Sequence, residues 1–214
     1  MADEAQAGAA ALLYRYVLQE RMRARFRPGT RVLNLGCGGG EDALWLASFG
    51  ASVLGLDPSE AAVQRARRAG IAAGVGTRVR FEVRRADELR VQDGSFDGAF
   101  AAPGALAGVE LPVAGRALAA VLREGAPVLV SVSAPRPALA RLGARQRAQR
   151  SLGPAFAWRR GFGIGVVLPG GASSTWAARS PHAFAALALL ERFARDAPVW
   201  RDLGDHLILD GARL

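Results

Sequence analysis

Three glycines at alternate positions, Gly36, Gly38 and Gly40, follow the apolar run Val32-Leu33-Asn34-Leu35 and precede Glu41-Asp42. A strand that breaks into a helix through glycines brings backbone N–H groups close to a ligand at a helix N-terminus, where a side chain would block the approach. A second apolar run, Val53-Leu54-Gly55-Leu56, ends in Asp57, 21 positions beyond Gly36. An acid at about that distance is placed to hydrogen-bond ribose hydroxyls. The chemistry indicated is binding of a nucleotide-type ligand. The spacing argues against a pyrophosphate. In G-x-G-x-x-G the third glycine would fall on Glu41, whose carboxylate repels phosphate and competes for the same N–H groups. A nicotinamide-dependent oxidoreductase is disfavoured on that ground. A ligand with a positive charge and no phosphate fits better.

Val32–Asp57 resembles motif I and the following strand of class I S-adenosylmethionine-dependent methyltransferases. S-adenosyl-L-methionine, with its sulfonium and no phosphate, is a ligand of the required kind. The resemblance implies an α/β fold: a Rossmann-like doubly wound sheet of seven strands, mostly parallel, with a C-terminal antiparallel hairpin. It also implies that Gly36, Gly38 and Gly40 shape the methionine pocket, that Asp57 holds the ribose and that Asp87 faces the adenine, with Asn34, Cys37, Pro58, Ala86 and Ala102 as further cofactor-binding residues. Asp87 reads equally well as a helix cap. Cys37 reads as a small packed residue rather than a nucleophile. Asn34 stands where the family usually carries an acid that helps fix the methionine amino group. An amide keeps the hydrogen-bonding capacity and loses the charge attraction.

The elements that must position these residues follow from periodicity and punctuation. Residues 5–26 read as a leading helix stopped by Pro28-Gly29, and its Tyr14 and Tyr16 are candidate substrate contacts. Then come a strand at 31–35, a helix at 41–49, a strand at 52–57 and a helix at 59–69 with Gly70 as its stop. Val79–Arg84 alternates as a strand with one wet face does. Gly94-Ser95-Phe96-Asp97 enters a fourth strand, with Asp97 tying down its start. Val128–Ser133 is a buried fifth strand. Between them the loop Ala101–Gly108 is small and apolar, and Glu110 reads as a surface acid at the next helix start. Val199–Leu203 and His206–Leu209, split by Gly204-Asp205, read as the closing hairpin. The expected organisation is a single domain over 1–214: a leading helix (1–29), a cofactor-binding core (30–134), a substrate-side insertion (135–180), and a closing helix and hairpin (181–214).

Composition narrows the function. The 28 basic residues are all arginine, against 19 acids. Residues 1–134 hold 16 arginines and 14 acids, whereas residues 135–214 hold 12 and 5, with no acid between Glu124 and Glu191. In that stretch Trp158, Arg159 and Arg160 are candidates to hold a ring and a carboxylate or phosphate of the substrate. His182, at the first turn of the closing helix, is the better pocket candidate of the two histidines. Nucleic acid is disfavoured as a partner, because little aromatic interleaving accompanies the charge. A single cysteine excludes an internal disulfide, and no metal-ligand cluster is visible. No apolar run is long enough to span a bilayer, and the acidic N-terminus lacks a signal-peptide pattern, so a cytoplasmic location without membrane contact is expected. The function expected is methylation of a small molecule. The alternatives are a non-catalytic methyltransferase-like partner subunit and an RNA methyltransferase. No catalytic base is legible; methyl transfer can proceed by holding donor and acceptor in line.

Overall fold

The computed structural model describes residues 9–133, 143–164, 180–194, 197, 204 and 206–214. Helix α1 (Ala9–Arg25) leads into β1 (Arg31–Leu35), α2 (Glu41–Ser48), β2 (Ser52–Asp57), α3 (Glu60–Ala72) and β3 (Val79–Val83). There follow β4 (Gly98–Ala101), α4 (Leu111–Val121), β5 (Pro127–Ser133), α5 (Ala144–Leu152), β6 (Phe156–Ile164), α6 (Pro181–Ala194) and β7 (His206–Arg213). The strands form one sheet in the order β3-β2-β1-β4-β5-β7-β6. Strands β1 to β5 run parallel, and β7 lies antiparallel between β5 and β6. Strand order reverses between β1 and β4, and open α/β sheets bind ligands off the carboxyl ends at such a switch.

Alternation along the strands divides the core between two sheet faces. Leu33, Leu35, Leu54, Leu56, Val128 and Val130 face one side, with Phe96, with Leu118 of α4 and with Leu152 of α5. Val32, Val53, Phe81, Phe100, Leu129 and Ile208 face the other, under Val17, Leu18 and Met22 of α1 and apolar residues of α2 and α3. Each such side chain, fully buried, contributes about 1.5–3 kcal/mol. Asp97 ties down the strand start as expected: its Oδ2 accepts the Arg31 N–H at 2.8 Å, and Arg123 pairs with its other oxygen.

Two expectations are corrected. Gly70 lies inside α3 rather than ending it; the helix runs on to Ala72, and Gly74, at φ +67°, takes the left-handed turn. Gly70 is buried, and a Cβ there would meet Val79 Cγ2 at 3.1 Å, so its role is close helix–strand packing. Among the described residues the antiparallel neighbours of β7 are β5 and β6, the latter at Phe156–Ile164, inside the stretch expected to be a substrate-side insertion. Val199–Leu203, expected as the first strand of the closing hairpin, lies outside the described residues. A bulge between Trp158 and Arg160 hides β6 from a period-two reading. It turns Phe156 and Trp158 to the α4–α5 face but Phe162 and Ile164 to the α1 face. Trp158 and Arg159 therefore belong to a sheet strand rather than to a substrate-side excursion.

Candidate cofactor and acceptor site

The loop after β1 is fixed by backbone geometry. Gly36, Gly38 and Gly40 all adopt positive φ, at 64°, 53° and 90°. Only glycine adopts these values without strain. A Cβ on Gly36 would lie 2.6 Å from Ala105 Cβ, and one on Gly40 would meet Ala66 and Phe81 at 3.0 Å, whereas Gly38 faces open space. Gly40 caps α2 with no side-chain hydrogen bond, and Glu41 and Asp42 occupy the first turn.

Asp57 holds this loop. Its Oδ2 accepts the Gly38 N–H and its Oδ1 the Ser59 N–H, both at 2.9 Å. Each oxygen keeps lone-pair capacity for a further donor. Ser59 then caps α3 through its hydroxyl, as the expected N-cap does. Cys37 is buried, and its thiol is pushed up to about 12 by burial and by the Asp57 charge. That makes it a packed thiol and not a nucleophile.

On the third strand's loop, Ala86 is buried and Asp87 is half-buried in a short 3-10 turn. The Arg85 guanidinium grips Asp87 through two bonds, at 3.0 and 3.3 Å, and holds its carboxyl below the usual range. Arg85 also donates to the Gly108 carbonyl at 3.1 Å, tying the β4–α4 loop to this turn. Under that loop, Leu35, Gly36, Pro58, Ala86 and Ala105 enclose a cavity of about 20 Å³. Ala102 anchors the loop by donating its N–H to the Leu35 carbonyl at 3.0 Å. Glu110 is exposed at the N-cap of α4 without a capping bond, as a surface acid.

Beside this loop, the α1 face of the sheet carries buried polar groups. Asn34 is 1 % exposed; its Nδ2 donates to the Leu35 carbonyl, while its Oδ1 is enclosed without a partner. Tyr14 is buried and Tyr16 is exposed, since two positions along a helix turn a side chain to the opposite side. The Tyr14 hydroxyl faces Ser131 without forming a well-aligned hydrogen bond, and burial pushes its ionisation well above the usual phenol range. The Tyr14 ring stands edge-on to His206, with centroids 5.8 Å apart. Asp42 approaches α1 from α2: Gln19 Nε2 lies 3.4 Å from its Oδ1, and burial raises its pKa against the attraction of Arg15.

The structure thus gathers Asn34, Gly36, Cys37, Gly38, Asp57, Ala86 and Ala102 around the carboxyl ends of β1, β2 and β4. It does not bring Tyr16, Trp158 or Arg159 there. Tyr16 lies with Trp45 and Phe49 on the outer side of α1 and α2. Trp158 packs against Phe156 on the α4–α5 face, and Arg159 is exposed in the amino-terminal half of β6. The side chain of Arg160 lies outside the described residues. His182 is exposed at the start of α6. The approach of Tyr14 to Ser131, His206 and Asp42 is not legible in the sequence: it depends on how α1 docks on α2, β5 and β7, and no local motif marks it.

Residues 32–125 match a family model described as a methyltransferase domain. A 72-residue stretch is 43% identical to 27-O-demethylrifamycin SV methyltransferase of Amycolatopsis mediterranei (strain S699), covering 33% of this chain and 26% of that protein. The chain thus spans about a quarter of the length of that curated relative. Among solved structures, geranyl diphosphate C-methyltransferase of Streptomyces coelicolor A3(2) superposes with a TM-score of 0.65 at 13% identity, over 93% of this chain and 78% of that one. The [4+2]-cyclase SpnF superposes with a TM-score of 0.63 at 21% identity, over 92% and 80%. The strand order and the glycine loop are thus those of the class I methyltransferase fold, and residues 32–125, a little under half of the chain, are similar to a methyltransferase domain.

Proposed function

We propose that this chain binds S-adenosyl-L-methionine at the carboxyl ends of β1 and β2 and transfers its methyl group to a small molecule. The observation that carries the reading is the Asp57 carboxylate, locked by the Gly38 and Ser59 N–H groups beside a glycine cradle that a Cβ would fill. The residues fit the cofactor. Asp57 has lone pairs left for two ribose hydroxyls, and Pro58 borders them. The Gly36–Gly40 backbone admits the methionine portion, and the enclosed Asn34 Oδ1 is an acceptor suited to its ammonium group. Ala86, Asp87 and Ala102 border the adenine side. The bound cofactor supplies an activated methyl group on a sulfonium; this chain supplies position, dryness and hydrogen bonds. Seating adenine requires the β4–α4 loop to swing off Gly36 and release the Arg85–Gly108 contact, since the cavity beneath it is only about 20 Å³.

The acceptor is proposed to be a small molecule, in keeping with the rifamycin and geranyl diphosphate methyltransferases that the chain resembles in part. A carboxylate or phosphate on it, expected from Arg159 and Arg160, gains no support from their place in β6. Calorimetric titration with S-adenosylmethionine and S-adenosylhomocysteine tests the cofactor reading. Micromolar binding to the native chain is expected, weakened at least about 10-fold in Asp57→Ala by loss of charge-assisted hydrogen bonds. No binding to folded native chain would overturn it and favour the partner-subunit alternative.

A further inference from the structure

Between β3 and β4 the chain makes two short 3-10 turns, Ala86–Glu88 and Val91–Asp93, in place of a helix. Beside the second turn, on the α4–α5 face of the sheet, the amino ends of β2 and β3 are left open, and a polar groove of about 490 Å³ lies there. Small-molecule sites run from about 300 to 1,000 Å³. The groove sits at the sheet edge opposite the carboxyl ends that carry Asp57 and the glycine loop.

Strand register sets its geometry. Arg31 of β1 pairs with Ser52 of β2, and Arg78 directly precedes the Val53–Val79 pair, so Arg31, Ser52 and Arg78 form one row across three neighbouring segments. Leu33 and Leu54 stand two positions further along on the same face, so the row leaves the sheet on the groove side. Neighbouring segments in a sheet lie nearly 5 Å apart, which puts the two arginine Cα atoms about 10 Å apart with the serine hydroxyl between them. The Arg31 guanidinium is held in advance: it lies 4.4 Å from the Phe96 ring centroid, and its Nη2 donates to the Asp93 carbonyl at 3.1 Å. Gly94 makes this possible, since a Cβ there would lie 2.7 Å from Arg31 Nη1.

Four arginines line the groove against two acids. Both acids are engaged. Glu82 meets Arg80 at 2.9 Å and Arg84 at 3.0 Å, and Asp93 meets Arg84 at 2.6 Å. Arg31 and Arg78 pair with no carboxylate among the described residues, so the surplus of two positive charges flanks Ser52. A carboxylate or a phosphodiester would balance one of these charges. A phosphate monoester, at about −1.5 to −2 near neutral pH, balances both and offers three acceptor oxygens for guanidinium forks and a hydroxyl. Thr77 and Gln92 on the groove wall are neutral hydrogen-bonding groups suited to hydroxyls on the rest of such a ligand.

We propose that this groove is a second ligand site, apart from the cofactor site, for a small hydroxylated phosphate monoester of the sugar phosphate class, with its phosphoryl group over Ser52 between Arg31 and Arg78. Calorimetric titration of the native chain at low salt with ribose 5-phosphate, inorganic phosphate and ribose tests it. Ribose 5-phosphate is expected to bind saturably at one site, inorganic phosphate several-fold more weakly, and ribose not at all. Arg78→Gln should weaken ribose 5-phosphate at least about 10-fold by loss of one charge-assisted pair, and Arg78→Glu should abolish its binding. Arg78 is exposed and its bonds among the described residues are main-chain ones, so both variants should unfold as the native chain does. Arg31→Gln should weaken binding as much; where it fails to fold, the Arg78 variants decide. S-adenosylhomocysteine affinity should be the same in the native chain and the Arg78 variants. No saturable binding of ribose 5-phosphate, undiminished binding in Arg78→Glu, inorganic phosphate binding as tightly, or displacement by S-adenosylhomocysteine would overturn the assignment. A thymidine hexanucleotide that binds more tightly than ribose 5-phosphate and is lost in Arg78→Glu would overturn it in favour of a nucleic-acid backbone.

Discussion

The two halves of the sheet place their polar groups in different ways. In the half built from β1, β2 and β3, the arrangement is set by backbone: three positive-φ glycines and one carboxylate that accepts two main-chain N–H groups. In the half built from β5, β7 and β6, it is set by side chains delivered from distant segments, with Tyr14 of α1 meeting Ser131 of β5 and His206 of β7. A backbone arrangement tolerates almost no change at its glycines and leaves a compact mark in the sequence. A side-chain arrangement rests on how α1 docks, and its mark is dispersed. A [4+2]-cyclase shares this sheet, so the fold by itself does not fix a chemistry.

Gly36→Val disrupts the backbone half and should have the largest effect. It demands φ near +64° from a β-branched residue and drives a Cβ into Ala105. The expected cost is about 2–5 kcal/mol, with cofactor binding abolished. Denaturant unfolding and calorimetry measure both. Arg25→Met attacks the other half through the docking of α1. Arg25 Nε lies 3.0 Å from Asp210 Oδ1, and its Nη2 donates to the Gly211 carbonyl. Both side chains are largely buried, and losing the pair should cost about 1–3 kcal/mol. Thermal unfolding reads that loss.

Asn34→Asp probes the place where the halves meet. A carboxylate there should tighten cofactor binding several-fold by pairing with the ammonium group while lowering the melting temperature of the free chain, since a buried charge is then unpaired. Unchanged affinity would mean that Asn34 does not face the cofactor. The smallest effect is expected from Asp42→Asn. Burial raises the folded-state pKa of Asp42 above its usual 3.8. The folded chain therefore favours the protonated form, and that relative stability is present below about pH 4 and lost as pH rises through the raised value. The variant should thus unfold at a slightly higher temperature than the native chain at neutral pH, by about 1 kcal/mol or less, with the difference vanishing in acid. A variant less stable at pH 7 would show that the attraction of Arg15 outweighs the burial cost.

The backbone half is written in the local sequence. Glycine is nearly alone in adopting positive φ, so Gly36, Gly38 and Gly40 announce a turn by residue type alone. An acid at the end of the next apolar run announces its partner. Buried parallel strands read as continuous apolar runs, and β1, β2, β4 and β5 fall where that reading puts them. Gly70 misleads because a helix-interior glycine needed for packing looks like a stop. Strand β6 escapes a pattern reading because its bulge breaks the alternation on which such a reading depends.

The side-chain half is settled by packing across the whole fold. Tyr14 and Tyr16 differ by two positions in one helix, and nothing local says which is buried. The docking of α1 sends Tyr14 to Ser131 and His206 and Tyr16 to solvent. Trp158 carries an aromatic ring in an arginine-rich run, yet its strand turns it to the face opposite Tyr14. Local sequence sets backbone conformation because φ and ψ are local quantities. Which side chains meet across α1, β5 and β7 is set by the burial of one shared apolar face, and that is a property of the whole chain.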